Sequence, residues 1–87
     1  MKRVIFKYKL KEATVNKIKL PVVHHVLKAK VIGGEAFIWV EQEVDAELHE
    51  FEFYLEPTGM DFDKTERVYV DTIFPGPFVF HIYKKLL

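Results

Sequence analysis

His24-His25-Val26-Leu27-Lys28-Ala29-Lys30-Val31-Ile32, then Gly33-Gly34, then Glu35-Ala36-Phe37-Ile38-Trp39-Val40-Glu41-Gln42-Glu43-Val44, is the stretch on which the fold turns. Two runs rich in β-branched and aromatic residues flank a two-residue glycine turn. A tight hairpin needs positive φ at its central residues, which glycine adopts without steric conflict. Pairing outward from Ile32 opposite Glu35 gives two faces. Leu27, Ala29 and Val31 join Ala36, Ile38 and Val40 on the first, which reads as core. The second sets Lys30 opposite Phe37, Lys28 opposite Trp39, Val26 opposite Glu41 and His24 opposite Glu43. A slip of one residue would exchange the two faces.

The flanking sequence has the same period of two. Arg3 to Leu10 places Val4, Phe6, Tyr8 and Leu10 on one side and Ile5, Lys7 and Lys9 on the other. Val15 to Leu20 alternates more weakly and ends at Pro21, which cannot donate to a ladder. Leu48 to Glu56 sends Phe51, Phe53 and Leu55 inward, with Glu50, Glu52, Tyr54 and Glu56 outward. After the irregular segment 57–66, Arg67 to Phe74 sets Val68, Val70, Thr72 and Phe74 against Tyr69, Asp71 and Ile73. Pro75-Gly76-Pro77 turns the chain into the closing strand, Phe78 to Tyr83. With about seven short strands and no helical stripe, the chain is expected to be all-β. The expected architecture is a small antiparallel sandwich or open barrel, forming one domain over 1–87. The strands Ala36–Val40 and Phe78–Tyr83 are apolar in both registers, so one face of each is expected to line an oligomer seam or a ligand floor.

Composition limits the chemistry. There is no cysteine, which excludes disulfides, thiolate metal sites and thiol nucleophiles. His24 and His25 are adjacent and point to opposite faces of a strand, and His49 and His81 stand alone, so no metal site is expected. No nucleophile motif or phosphate-loop lysine occurs, and the glutamates fall on solvated faces; the expectation is a protein that is not an enzyme and carries no cofactor. No stretch reaches the ~20 apolar residues of a membrane span, and Met1-Lys2-Arg3-Val4 lacks the apolar run and cleavage site of a signal peptide, so the expected location is cytoplasmic. The formal net charge is zero, yet nine Lys or Arg and one acid lie in residues 1–30, against eleven acids and one Lys in 31–66. Either basic strands pair beside acidic ones, or a basic groove faces an anionic ligand. Binding of polymeric nucleic acid would call for a net basic excess.

Two groups of residues suit ligand contact. Trp39 and Phe37 beside Lys28 and Lys30 offer a stacking surface with ammonium groups, and equally describe a subunit seam. In Thr58-Gly59 a glycine after a small hydroxyl residue lets backbone N–H groups converge on an anion, and the same dipeptide describes an ordinary turn. His81 suits donation to a phosphate or a base edge, and equally a partly buried place at an interface.

An ordered series of features carries a resemblance: Lys7-Tyr8-x-Leu10, Ile18-x-Leu20-Pro21, Gly33-Gly34, Ile38-Trp39, Thr58-Gly59, Tyr69-Val70-Asp71-Thr72 and Val79-Phe80-His81-Ile82-Tyr83. Over almost its whole length the chain resembles a family of small bacteriophage proteins similar to the anti-CBASS sponges. Relatives often carry glycine where this chain has Pro57. The resemblance implies a homo-oligomer, with a tetramer favoured, acting in the cytoplasm of the infected host. It implies sequestration of a cyclic dinucleotide alarm signal, cyclic GMP–AMP or a close relative, without hydrolysis. By residue match Trp39, Thr58, Gly59, His81 and Tyr83 are its candidate ligand contacts, joined by Lys28, Lys30 and Phe37 from the residue reading. The alternative is a phage accessory protein that inhibits a host protein by direct contact, through a sheet edge or the acidic middle segment. A virion or regulatory accessory role is a third, weaker expectation.

Overall fold

The structure, a computed structural model, describes residues 2–86. Met1 and Leu87, the two ends of the expected 1–87 domain, lie outside the described residues. Among the described residues there are seven strands: β1 (Arg3–Leu10), β2 (Val15–Pro21), β3 (His24–Ile32), β4 (Glu35–Glu43), β5 (Leu48–Pro57), β6 (Arg67–Ile73) and β7 (Phe80–Lys85). All pairings are antiparallel. One sheet runs β1-β4-β3 and the other β2-β5-β7-β6. They stack into a slab of 41 × 32 × 16 Å, the thin dimension being that of two layers. The fold is an open sandwich and not a closed barrel.

The core forms where the inward registers of both sheets meet. Leu10, Ala29, Ile38 and Val40 from the first sheet pack with Ile18, Leu20, Phe51, Phe53, Leu55, Ile73 and Ile82 from the second. Gly33 and Gly34 both take positive φ, as the hairpin requires. Asn16, buried under the β1–β2 turn, accepts from the Lys11 N–H at 2.7 Å and donates to the Lys11 and Ala13 carbonyls. That side chain satisfies the backbone groups of a tight turn that no sheet partner reaches.

Three details of register differ from the expectation. In β3 a bulge falls between Val26 and Lys28. Lys28 and Lys30 do face Trp39 and Phe37, but beyond the bulge Val26 pairs with Val40, His25 with Glu41 and His24 with Gln42. Leu27, expected in the core, is instead 44% exposed, because the extra residue reverses the alternation behind it. A second bulge in β6 lies between Tyr69 and Asp71. It brings Tyr69 and Thr72 to one face, opposite Tyr83 and His81, where strict alternation separates them. The two bulged strands are the adjoining edges of the two sheets, and Asp71 Oδ2 accepts the Ala29 N–H across them at 2.8 Å. Third, β7 begins at Phe80 and not at Phe78. The Phe78 N–H bonds the Pro75 carbonyl in a turn, leaving Phe78 63% exposed.

Edge strand β1 keeps its alternation but not full burial. Phe6 pairs with Val40 on the inner face, yet it is 50% exposed while Val40 is fully buried.

Candidate functional site

The residues singled out from sequence separate into two groups on opposite outer faces of the slab. Phe37 and Trp39 alternate with the buried Ile38 and Val40 and therefore look away from the core. Their neighbours across the ladder are Lys7 and Lys28 beside Trp39, and Lys9 and Lys30 beside Phe37. Lys7 Nζ lies 4.7 Å from the centre of the Phe37 ring, a cation–π contact. Lys9 is engaged by Glu35 at 3.0 Å, which leaves Lys7, Lys28 and Lys30 as the ammonium groups of this face.

Thr58, Gly59, His81 and Tyr83 belong to the other sheet, and the structure brings them together. The β7 alternation that buries Ile82 turns His81 and Tyr83 outward. Thr58 follows directly on β5, and its N–H bonds the Val79 carbonyl. This sets Thr58 Oγ1 2.8 Å from His81 Nε2. On the other side of the ring, His81 Nδ1 lies 3.0 Å from Thr72 Oγ1, which is 2.6 Å from the Tyr69 hydroxyl. Four side chains from β5's end, β6 and β7 thus form one continuous chain of hydrogen bonds. Thr58 is exposed, and the following Gly59 has φ +88° and open space where a Cβ would stand.

An aromatic surface borders this chain. Phe62 reaches back from the β5–β6 loop to pack on Tyr83 at 4.9 Å, and Tyr69 meets Tyr83 edge to face at 5.7 Å. Beside them the Arg67 guanidinium carbon stands 3.6 Å from the centre of the Tyr54 ring, and the guanidinium donates to Glu56 Oε2 at 2.7 Å. These two charged side chains are only 16% and 11% exposed, a nearly desolvated pair. At the margin, the Tyr54 hydroxyl donates to Glu52 at 2.6 Å, which holds the Glu52 carboxyl below its ordinary range and pushes the phenol up. In the loop, the Thr65 N–H likewise lowers the Asp63 carboxyl.

Sequence reading alone did not find Tyr54, Glu56, Phe62, Arg67, Tyr69 or Thr72. Alternation set Tyr54 and Glu56 outward, but their neighbours depend on the β5–β7 and β6–β7 registers, pairings between strands that local pattern does not specify. A cleft of about 960 Å³ is lined by Leu10, Leu55 and Ile73 together with Ala36, Phe78 and Phe80 from the two stretches that are apolar in both registers, and none of the eight candidate contact residues borders it. Among the described residues no group of three His, Asp or Glu stands close enough to hold a metal ion, and no helix is long and apolar enough to cross a membrane.

Over residues 1–86 the chain matches the family described as a domain of unknown function, DUF7352, and it belongs to that family. No curated protein and no solved structure matches it.

Proposed function

We propose that this member of the family is a non-catalytic binding protein that sequesters a cyclic dinucleotide of the cyclic GMP–AMP type as a homo-oligomer, tetrameric by the likeness to phage anti-CBASS sponges. The observation that carries the reading is the joining of Thr58, His81, Thr72 and Tyr69 into one polar chain bordered by Phe62, Tyr83 and Tyr69 rings. Such a ligand has two purine faces and two phosphates. Aromatic rings suit the bases, each stack being worth ~1–3 kcal/mol, and hydroxyl and imidazole donors suit the phosphates. A sponge works by mass action; Kd near ~1 nM corresponds to about −12 kcal/mol.

The separation of the two groups bears on assembly. In a slab with Trp39 on one outer face and His81 on the other, one ligand meets both only if a second copy supplies the opposite face. The ligand therefore rests on the Thr58–His81–Tyr83 face. The Phe37–Trp39 face, with Lys28 and Lys30, serves as the seam that closes over a neighbour's ligand.

Calorimetric titration of the full chain with purine cyclic dinucleotides tests the proposal. Saturable binding, with the ligand recovered intact after long incubation, is the expected result. A flat trace with every purine cyclic dinucleotide, or recovery of a hydrolysed product, overturns it. A second reading, inhibition of a host protein, has one observation in its favour: edge strand β1 is unbulged and exposes Ile5 and Phe6. Co-purification of one stoichiometric host polypeptide without bound nucleotide would favour it.

A further inference from the structure

We infer that His81 is a positioning residue whose tautomer decides which hydroxyl of this face is offered to a bound oxyanion, and that Thr58 is the hydroxyl a phosphate oxygen engages. The inference deepens the reading of this face as an anionic-ligand site and rests on it.

The argument is a count of hydrogens. Thr58, Thr72 and Tyr69 each bring one hydroxyl hydrogen, and a neutral imidazole brings one N–H. The contacts Thr58–His81, His81–Thr72 and Thr72–Tyr69 use one hydrogen each. A single donor is left over, and its position is tied to the ring. With the proton on Nε2, His81 donates to Thr58 Oγ1, Thr72 donates to Nδ1 and Tyr69 donates to Thr72. The hydrogen of Thr58 is then free to point outward. With the proton on Nδ1, Thr58 must donate its hydrogen to Nε2, and the spare donor moves to Thr72 or Tyr69.

Neighbouring charges do not drain the chain. Glu56 stands opposite His81 in the ladder but is engaged by Arg67. Asp71 spends Oδ1 on the Thr72 backbone N–H and Oδ2 on that of Ala29. Position selects the Thr58 end. Thr58 is exposed, is followed by the unobstructed Gly59, and opens the loop whose Phe62 packs on Tyr83. A nucleotide base over Phe62 and Tyr83 therefore carries its phosphate toward Thr58. An oxyanion accepting from Thr58 Oγ1 stabilises the Nε2–H tautomer, since only that form releases the hydrogen.

Imidazole nitrogen NMR of the full chain, in alkaline buffer where histidines are neutral, tests this with inorganic phosphate as the probe. Phosphate is expected to drive His81 toward the Nε2–H form, with Nδ1 moving to the unprotonated shift. Thr58→Val is expected to abolish that response and to weaken phosphate roughly tenfold, and Thr58→Ser to restore both. Silence of the His81 nitrogens on phosphate addition to the wild type, or an equal response in Thr58→Val, overturns the inference. Because the probe is phosphate alone, the outcome is read independently of cyclic dinucleotide binding, whose absence would sink only the parent reading.

Discussion

His24 Nε2 lies 3.0 Å from Lys84 Nζ, an imidazole on one sheet accepting a hydrogen bond from an ammonium on the other. The opposite ring nitrogen, Nδ1, donates to the Pro21 carbonyl at 2.7 Å, so the neutral ring is the form this arrangement needs. Phe51 closes the site, with the His24 ring edge-on at 4.6 Å and Lys84 Nζ at 5.6 Å from the ring centre.

Burial is the main cause that lowers the His24 pKa from its ordinary 6.5, and Lys84 adds to it; burial also lowers Lys84. The unfolded chain therefore takes up the His24 proton more readily than the folded one. Stability is fully present above the unfolded value of about 6.5 and is lost as pH falls from there through the lower folded value. Thermal melts should show a falling midpoint below about pH 6.5. His24→Gln, whose amide can serve both partners without titrating, should flatten that slope. An unchanged acid slope in the variant would assign the effect to other groups.

The Arg67–Glu56 pair should behave as a nearly buried ion pair. Arg67→Met alone strands the Glu56 carboxylate and is expected to cost about 3 kcal/mol, and Glu56→Gln somewhat less. The double variant should recover part of the loss. A urea double-mutant cycle measures the coupling; additive losses would show that solvent screens the pair.

Ligand affinity should depend on the aromatic surface of the β5–β7–β6 face. Tyr83→Ala and Phe62→Ala are each expected to weaken a bound cyclic dinucleotide at least about tenfold, the value of one lost base stack. Trp39→Ala should reduce the assembled mass seen by light scattering. Undiminished affinity in both aromatic variants would move the ligand to another surface.

Conformation alone limits substitution at the two hairpin glycines, since both have positive φ and open space where a Cβ would stand. Gly33→Asn should be almost neutral, because asparagine tolerates the left-handed region and leads a tight hairpin turn naturally. Gly34→Val, at φ +79°, should cost about 1–2 kcal/mol in chemical denaturation. Equal losses would argue against the turn geometry.

What this sequence determined by itself was local. Period-two alternation and turn residues placed seven strands near their observed bounds, set the Gly33-Gly34 hairpin, and sent Ile38 and Phe53 inward. Each of those readings needs only neighbours a few residues apart. Tertiary structure decided the rest: that β1 pairs with β4 and β5 with β7, and that bulges turn Leu27 outward and bring Tyr69 and Thr72 to one face. It also placed Trp39 and His81 on opposite sides. The reason is physical. Pairing between strands distant in sequence is selected by the packing of two whole sheets, and the meeting of the β3 and β6 edges, where Asp71 takes the Ala29 N–H, has no local signature.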